Sequence, residues 1–371
     1  MRILYLTLAD VDDRSFGGAL RSVAVRAGLQ QAGSVDTLVI HGGPLERLDA
    51  DWNGERVRTA IFSRAGFSLA ALRQRRRTRA WVDAILRETA YDLVVAHYLG
   101  LATYLPRRAW SRLVLDADDL LKRPSVDASL PKRARLSLRN AIARWMAKRA
   151  RHVWVVNPRE VAALGARSAS PLSNAIALPP LDRPRAAALP KRLLMVGYFD
   201  HPPNAEGLRF FAAEVLPELA RRFPGIELHA VGKHPLGFER GFAPPVRVRG
   251  FVDDLAAEYD RAALVVAPII SGAGTQIKVL DALAHERPLV ASAFTQAGYA
   301  TELHADKHLL VAGAVDEWLA RCTWALQHPE AAEAMARRGG SVVRRIYGSE
   351  RMAGEVERSV REVAASLKED R

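Results

Sequence analysis

Leu264-Val265-Val266-Ala267-Pro268-Ile269-Ile270-Ser271-Gly272-Ala273-Gly274-Thr275-Gln276-Ile277-Lys278-Val279-Leu280-Asp281-Ala282-Leu283-Ala284 is the stretch on which the reading of this chain turns. The apolar run Leu264 to Ala267 predicts a buried strand. Pro268 ends it, a glycine-rich turn follows, and the apolar spacing from Ile277 onward predicts a helix. At such a turn the unsatisfied backbone N–H groups and the positive end of the helix dipole favour a diphosphate. Lys278 falls within the first turn or so of that helix, where a cation is unfavourable unless an anion offsets it. Asp281 is three positions on, hence on the same face. A lysine for phosphate and a carboxylate for ribose hydroxyls is a coherent division of labour; the alternative is a surface lysine and an exposed aspartate.

The same grammar extends in both directions. Short runs rich in Val, Ile and Leu alternate with longer helical patterns, as in parallel sheets covered by helices on both faces. Strands are expected at Ile3 to Leu8, Thr37 to Ile40, Leu93 to His97, Leu113 to Asp116 and Val153 to Val156. A second set is expected at Leu193 to Gly197, Glu227 to Gly232, Val246 to Gly250, Leu264 to Ala267, Leu289 to Ser292 and Leu309 to Val311. Between the sets, Leu178 to Pro190 carries Pro179, Pro180, Pro184 and Pro190, which cannot continue a helix or a central strand. With 371 residues, two cores are the natural expectation, since single cores stop growing near roughly 250 to 300 residues. The domains are read as residues 1–187 and 188–348, two structural copies, with a strandless helical tail at 349–371. Pro217 should kink or shorten the helix that runs through Leu208, Phe211 and Leu219.

The formal net charge of +13 favours anionic partners: phosphorylated substrate, acidic lipid or nucleic acid. Much of it lies in Arg73 to Arg79 and in Lys132 to Arg151. In the second stretch Leu138, Ile142, Trp145 and Met146 recur near helical spacing. That pattern fits either a core-facing helix with a solvated basic back or a surface resting on anionic lipid headgroups. Nucleic acid is not expected, because aromatic stacking motifs and a recognition fold are absent. No stretch approaches the roughly 18 uninterrupted apolar residues of a spanning helix, and the start at Met1-Arg2 lacks the apolar region of a secretory signal, so the protein is expected in the cytoplasm. The single cysteine, Cys322, excludes an internal disulfide and sits in an ordinary helical pattern.

Other candidates lie at strand ends. Gly17 and Gly18 would let backbone approach a phosphate or substrate, and Arg21, just inside the next helix, is a candidate phosphate contact. His97 ends a strand and would face the cleft where two such sheet edges meet; it reads equally as a functional or a structural histidine. Asp116, Asp118 and Asp119 follow another strand. They could bind acceptor hydroxyls or accept a proton, and Asp118 or Asp119 could instead cap the helix near Leu120. No calcium-loop or zinc spacing is present, so no cofactor and no required metal are expected; helix-dipole and lysine contacts can stabilise a departing diphosphate.

The stretch from Gly250-Phe251-Val252-Asp253-Asp254-Leu255 through Tyr259 to GAGTQIKVLDALAHERPLVAS resembles the donor half of GT-B glycosyltransferases of family 4, or group 1. The likeness extends to the opening strand with GGALR, to DLVVAH at Asp92 to His97, to VVN at Val155 to Asn157 and to MVGYFDHPPNAEGLRFF from Met195 to Phe211. It implies an α/β protein of GT-B type: two Rossmann-like domains facing across a cleft, donor on the second, acceptor mainly on the first, with the C-terminal helix crossing back to the first domain. It further implies a donor site built from Gly197, Gly272, Gly274, Thr275, Gln276, Lys278 and Asp281, beside the Gly17, Gly18 and Arg21 already noted. Asp281 matches the second acidic residue of the family's Glu-x7-Glu motif. Ala273 stands at the first acidic position, and Tyr198, Asp200, His201 and Asn204 stand where many members carry an Arg and Lys pair. His97, Asp118 and Asp119 are the catalytic candidates.

The activity so implied is a retaining transfer of a sugar, hexosyl-like and metal-independent, from a nucleoside-diphosphate sugar to a glycan or lipid-linked acceptor in cell-surface polysaccharide synthesis. A peripheral place at the inner face of the plasma membrane would suit the basic segment. The other readings are a nucleotide-sugar-binding protein without turnover, and an epimerase or phosphorylase on the same fold.

Overall fold

The computed structural model describes residues 1–10, 17–41, 47–52, 55–61, 69–117, 129–156, 161–162, 164–182, 187–271 and 276–370. It divides into two compact units: unit 1, Met1–Ala175 with Ser349–Arg371, and unit 2, Ile176–Gly348. The proline-rich segment from Leu178 to Pro190 therefore lies in unit 2.

Unit 1 holds β1 (Arg2–Thr7), β2 (Ser34–His41), β3 (Arg47–Trp52), β4 (Glu55–Ile61), β5 (Leu93–His97), β6 (Leu113–Ala117), β7 (His152–Val155) and β8 (Ala169–Pro171), in the order β3-β4-β2-β1-β5-β6-β7-β8. All neighbours are parallel except β3 and β4. Unit 2 holds β9 (Leu189–Val196), β10 (Glu227–Val231), β11 (Val246–Arg249), β12 (Ala262–Ala267), β13 (Leu289–Ser292) and β14 (Leu310–Ala312), all parallel, in the order β11-β10-β9-β12-β13-β14. Without the edge strands β3 and β8, both sheets run third-second-first-fourth-fifth-sixth, the doubly wound order of dinucleotide-binding folds. The expected α/β architecture with twin halves is borne out. In each sheet the direction of winding reverses beside the first strand, between β1 and β5 and between β9 and β12, and ligands bind beyond the carboxyl ends at such points.

Alternation along the strands builds two core layers per sheet. In unit 1, Ile3, Tyr5, Leu93, Val95, Val114 and Trp154 pack against Val25 and Leu29 of helix Gly17–Ala32 and Met352, Val356 and Val360 of helix Ser349–Glu369. On the other face Leu4, Leu6, Val94, Ala96 and Leu115 meet Val82, Ile85 and Leu86 of helix Leu69–Glu88 and Ala143, Met146 and Ala147 of helix Leu130–Ala147. The final helix is thus a structural part of unit 1, fixed further by Trp154 Nε1, which donates to Ser359 Oγ at 2.9 Å.

In unit 2 the segment containing Pro217 neither ends nor breaks. An α-helix, Pro202–Phe210, widens into a π turn over Phe211–Val215 and resumes as α over Leu216–Arg222. The wider turn accommodates the missing N–H of Pro217 while Leu208, Phe211, Val215 and Leu219 stay on one buried face. The opposite face of this sheet is covered by helices Ile277–Ala284 and Pro329–Ile346.

Helices Gly17–Ala32 and Ser349–Glu369 approach so closely that a Cβ at Gly28 would stand 2.3 Å from the Ala353 carbonyl oxygen, whereas one at Gly354 meets nothing within 4 Å. Gly28→Val should destabilise unit 1 by about 1–3 kcal/mol through overpacking. Gly354→Ala should stabilise it by about 0.4–1 kcal/mol, because only the unfolded chain's freedom changes. Urea unfolding of the two variants should move the midpoint in opposite directions.

Candidate functional site

The winding reversal of unit 2 places two segments at adjacent strand ends: Gly197-Tyr198-Phe199-Asp200-His201 after β9, and Pro268 to Ser271 after β12. They are locked together. A Cβ at Gly207 would come within 2.5 Å of the Pro268 carbonyl oxygen, so the helix after β9 lies directly on the loop after β12. Ser292 Oγ and Thr295 Oγ1, at the end of β13, both donate to the Ile269 carbonyl. The Gly197 N–H is bonded to Val231 O at 3.0 Å, which makes this glycine a packing residue of the turn: a Cβ there would press on Asn204 at 3.2 Å.

Across these strand ends Lys278 Nζ donates to Asn204 Oδ1 at 2.6 Å, and Asn204 Nδ2 donates in turn to the Tyr198 carbonyl at 2.8 Å. Lys278 is buried, and among the described residues no ion pair involves it. Burial lowers its ammonium from the ordinary 10.5 to about 7. Among the described residues its one bond is to a neutral amide, and it stands in the first turn of helix Ile277–Ala284, where the dipole disfavours a cation. The arrangement leaves the ammonium short of negative charge. Gln276 is the N-cap residue of that helix, and its side chain makes no cap bond. Gly272, Ala273, Gly274 and Thr275 lie outside the described residues.

Asp281 is one turn further along. It is partly exposed, yet burial raises its carboxyl from 3.8 to about 7. Beside it lies Tyr259, whose ring stacks on His285 with centroids 4.9 Å apart and whose buried hydroxyl has no hydrogen-bond partner among the described residues. Burial, with the Asp281 charge, pushes that phenol well above its ordinary value. An acceptor carboxyl and an unpartnered hydroxyl on neighbouring elements suit a polyhydroxylated ligand. The stretch that suggested the glycosyltransferase resemblance includes Tyr259, but nothing in its residue type marks it as a site residue.

The site candidates of unit 1 converge differently. His97 and Asp116 are register partners on β5 and β6, which puts His97 Nδ1 3.1 Å from Asp116 Oδ2. Arg21, from helix Gly17–Ala32, reaches the same carboxylate with Nη2 at 2.6 Å and Nε at 3.1 Å, and its Nη1 donates to Leu172 O and Asn174 Oδ1, both at 2.9 Å. All three side chains are fully buried. Burial alone would raise the Asp116 carboxyl, but Arg21 and His97 together hold it well below the usual carboxylate range. An ionised carboxylate only accepts, so His97 carries its proton on Nδ1, and in the neutral ring Nε2 is a bare acceptor. Among the described residues, that buried Nε2 has no partner. Tyr98, immediately after, has φ 76°, a strained setting for a non-glycine residue at a strand end.

This geometry corrects one expectation. Arg21 is not placed as a phosphate contact: its guanidinium has no exposed surface and, among the described residues, it donates to Asp116, Leu172 and Asn174. Its role is to hold Asp116 ionised and His97 oriented. Gly17 and Gly18 open helix Gly17–Ala32, the first turn of which presents backbone N–H groups. Asp118 and Asp119 lie outside the described residues. Cys322 is buried in helix Val315–Gln327, and burial pushes its thiol up, away from reactivity.

The whole chain has the GT-B fold. A sucrose-phosphate synthase from Thermosynechococcus elongatus superposes with a TM-score of 0.74 at 17% identity, covering 98% of this chain and 99% of the other. The HepE protein of Anabaena, solved with UDP and glucose, gives 0.69 at 15% identity over 98% and 100% of the two chains. The E. coli trehalose-6-phosphate protein bound with UDP-2-fluoro glucose gives 0.69 at 13% over 98% and 99%. No curated protein sequence matches the chain. Residues 190–328, which include β12, Lys278 and Asp281, match the family described as glycosyl transferases group 1. The group 1 resemblance read from the glycine-rich turn is borne out there.

Removing the Arg21 guanidinium would leave Asp116 as a buried, partly unpaired charge. Arg21→Ala should therefore cost about 3–5 kcal/mol of unit 1 stability, measured by chemical unfolding, while nucleotide affinity at unit 2 stays unchanged. A selective loss of nucleotide affinity with intact stability would restore the phosphate-contact reading.

Proposed function

We propose that this protein is a retaining glycosyltransferase of the family 4 subgroup, moving a hexose-like sugar from a nucleoside-diphosphate donor to a glycan or lipid-linked acceptor. The observation that carries this is the buried Lys278 ammonium, without a counter-charge, at the strand ends where unit 2 changes winding direction. A donor diphosphate supplies the missing charge, taken up by Lys278 and by the N–H groups opening helix Ile277–Ala284. Asp281 accepts from the ribose hydroxyls. These contacts strengthen as negative charge grows on the departing diphosphate, which is why no metal is required. In unit 1, His97 Nε2 accepts from a sugar hydroxyl, with Asp118 and Asp119 on the acceptor side. Two of the compared structures support a uridine nucleotide as the first donor to test, since they hold UDP and glucose or UDP-2-fluoro glucose. The setting is cell-surface polysaccharide assembly in the cytoplasm at the inner face of the plasma membrane. A second reading, nucleotide-sugar binding without turnover, is favoured by Ala273 at the position where the family's motif has its first acid; it predicts donor binding with neither transfer nor donor hydrolysis.

Thermal shift with UDP, GDP, ADP, CMP and TDP tests the donor site. At roughly a hundred times its Kd one nucleotide should stabilise the protein by about 2.7 kcal/mol, and the shift should vanish in Lys278→Ala. No shift with any of the five would end the proposal. With an acceptor in hand, NMR of the first product formed should show the donor's anomeric configuration.

The two shifted groups set a pH dependence. Above pH 7 free Lys278 loses its proton while the diphosphate-bound form keeps it, so binding takes up a proton and affinity falls as pH rises. Below pH 7 free Asp281 is protonated while the ribose-bound form is ionised, so binding releases a proton and affinity rises with pH. Calorimetry with a nucleoside-diphosphate sugar, whose diphosphate does not itself titrate near neutrality, should show maximal affinity near pH 7, falling by up to about tenfold per unit on either side. Lys278→Met should weaken binding and flatten the alkaline limb, and Asp281→Asn the acid limb.

A further inference from the structure

Helix Leu130–Ala147 is not the core-facing helix with a basic back that its spacing allowed. It buries a narrow strip, Ala143, Met146 and Ala147, against the sheet. Its larger apolar side chains point outward: Leu138 is 64% exposed, Ile142 46% and Trp145 50%, and Leu130 at its start 82%. At 100° per residue, Leu138, Ile142 and Trp145 form one stripe. Arg135 and Arg149 lie on its edge, Arg149 stacked over the Trp145 ring at 3.9 Å, and Arg144 and Lys148 border the other side. No Asp or Glu occurs anywhere from Ser129 to Arg151. Helix Leu69–Glu88 covers the same face of the sheet and adds exposed Arg73, Arg76 and Arg77. The 3₁₀ turn Arg107–Arg112 ties the two helices together. Its Arg108 pairs with Asp83 of one, and its Trp110 stacks edge-on against Trp145 of the other, with centroids 5.8 Å apart.

We propose that this face of unit 1 docks on an anionic phospholipid bilayer, helix Leu130–Ala147 lying in the interface with Leu138, Ile142 and Trp145 among the headgroups and upper acyl chains. A basic helix with outward apolar side chains and a tryptophan fits that boundary, because the arginines and Lys148 meet lipid phosphates while the stripe leaves water. Two other occupants fit less well. Nucleic acid would satisfy the cations but gives Leu138 and Ile142 nothing to bury against. A second copy of the same face would bring identical cations into contact. No helix among the described residues is long and apolar enough to cross a membrane.

The test is co-sedimentation of the intact protein with vesicles of phosphatidylcholine alone and of equal parts phosphatidylcholine and phosphatidylglycerol. Strong, salt-sensitive pelleting is expected only with the anionic vesicles. Leu138→Gln with Ile142→Gln should cut it about tenfold, and so should Arg135→Gln with Arg149→Gln. All four side chains lie off the core, and an unchanged unfolding midpoint checks that the variants are folded. Fluorescence quenching by brominated lipid should be seen in the parent and be largely lost in Trp145→Phe. Absence of pelleting, equal pelleting with both vesicles, or an unaffected Leu138/Ile142 variant would overturn the proposal. So would retention of duplex DNA at near-physiological salt without vesicle binding. The docking face is independent of the donor site, so nucleotide-induced stabilisation should persist in these variants.

Discussion

A buried ammonium held by a single neutral amide oxygen is an incomplete structure, and Lys278 is in that condition. The fold fixes where it stands. Winding reversal between β9 and β12 brings two strand ends side by side, and Asn204 and Lys278, from helices on opposite faces of one sheet, meet over them. Packing then leaves little freedom: Gly207 lies on Pro268, and Ser292 and Thr295 grip Ile269. A cation so placed cannot swing to solvent to recover its hydration, so its free energy is settled by protonation or by a bound anion. The lowered proton affinity of Lys278 descends from that constraint.

Unit 1 repeats the topology with the opposite electrostatic solution. Its buried cation, Arg21, is paired with the Asp116 carboxylate and also donates to Leu172 O and Asn174 Oδ1. What is left without a partner there, among the described residues, is His97 Nε2, on a ring oriented by the Asp116 carboxylate.

The strands were legible because parallel strands buried on both faces read as unbroken apolar runs, and each run quoted from the sequence is a strand, with ends moved by a few residues. The edge pair β3 and β4 went unread: Arg47-Leu48-Asp49-Ala50-Asp51-Trp52 and Glu55-Arg56-Val57-Arg58-Thr59-Ala60-Ile61 are too polar for that signature. The Asn53-Gly54 pair between them was the available hairpin cue. The strand and the helix that place Lys278 and Asp281 were legible because their apolar spacing is a local signal. Arg21 was misread, and the Lys278 to Asn204 bond unseen, for one reason. Which partner consumes a charged side chain depends on residues distant in sequence, here Asp116 for Arg21 and Asn204 for Lys278, and no local pattern encodes it.

Helix Leu130–Ala147 shows the same limit and also what lies beyond it. Its amphipathic spacing was plain, but spacing does not say which side of a helix faces the sheet. The side that does so is made of Ala143, Met146 and Ala147, small enough for a close approach, and it suffices to fix the helix to the core. Leu138 and Ile142 therefore add little to the stability of unit 1, and Trp145 adds chiefly its contacts with Trp110 and Arg149. Apolar side chains that stability does not require, ranged among cations with no acid beside them in sequence, lower solubility without return unless something covers them. That imbalance makes the face a surface for another phase, distinct from the faces that hold the fold together.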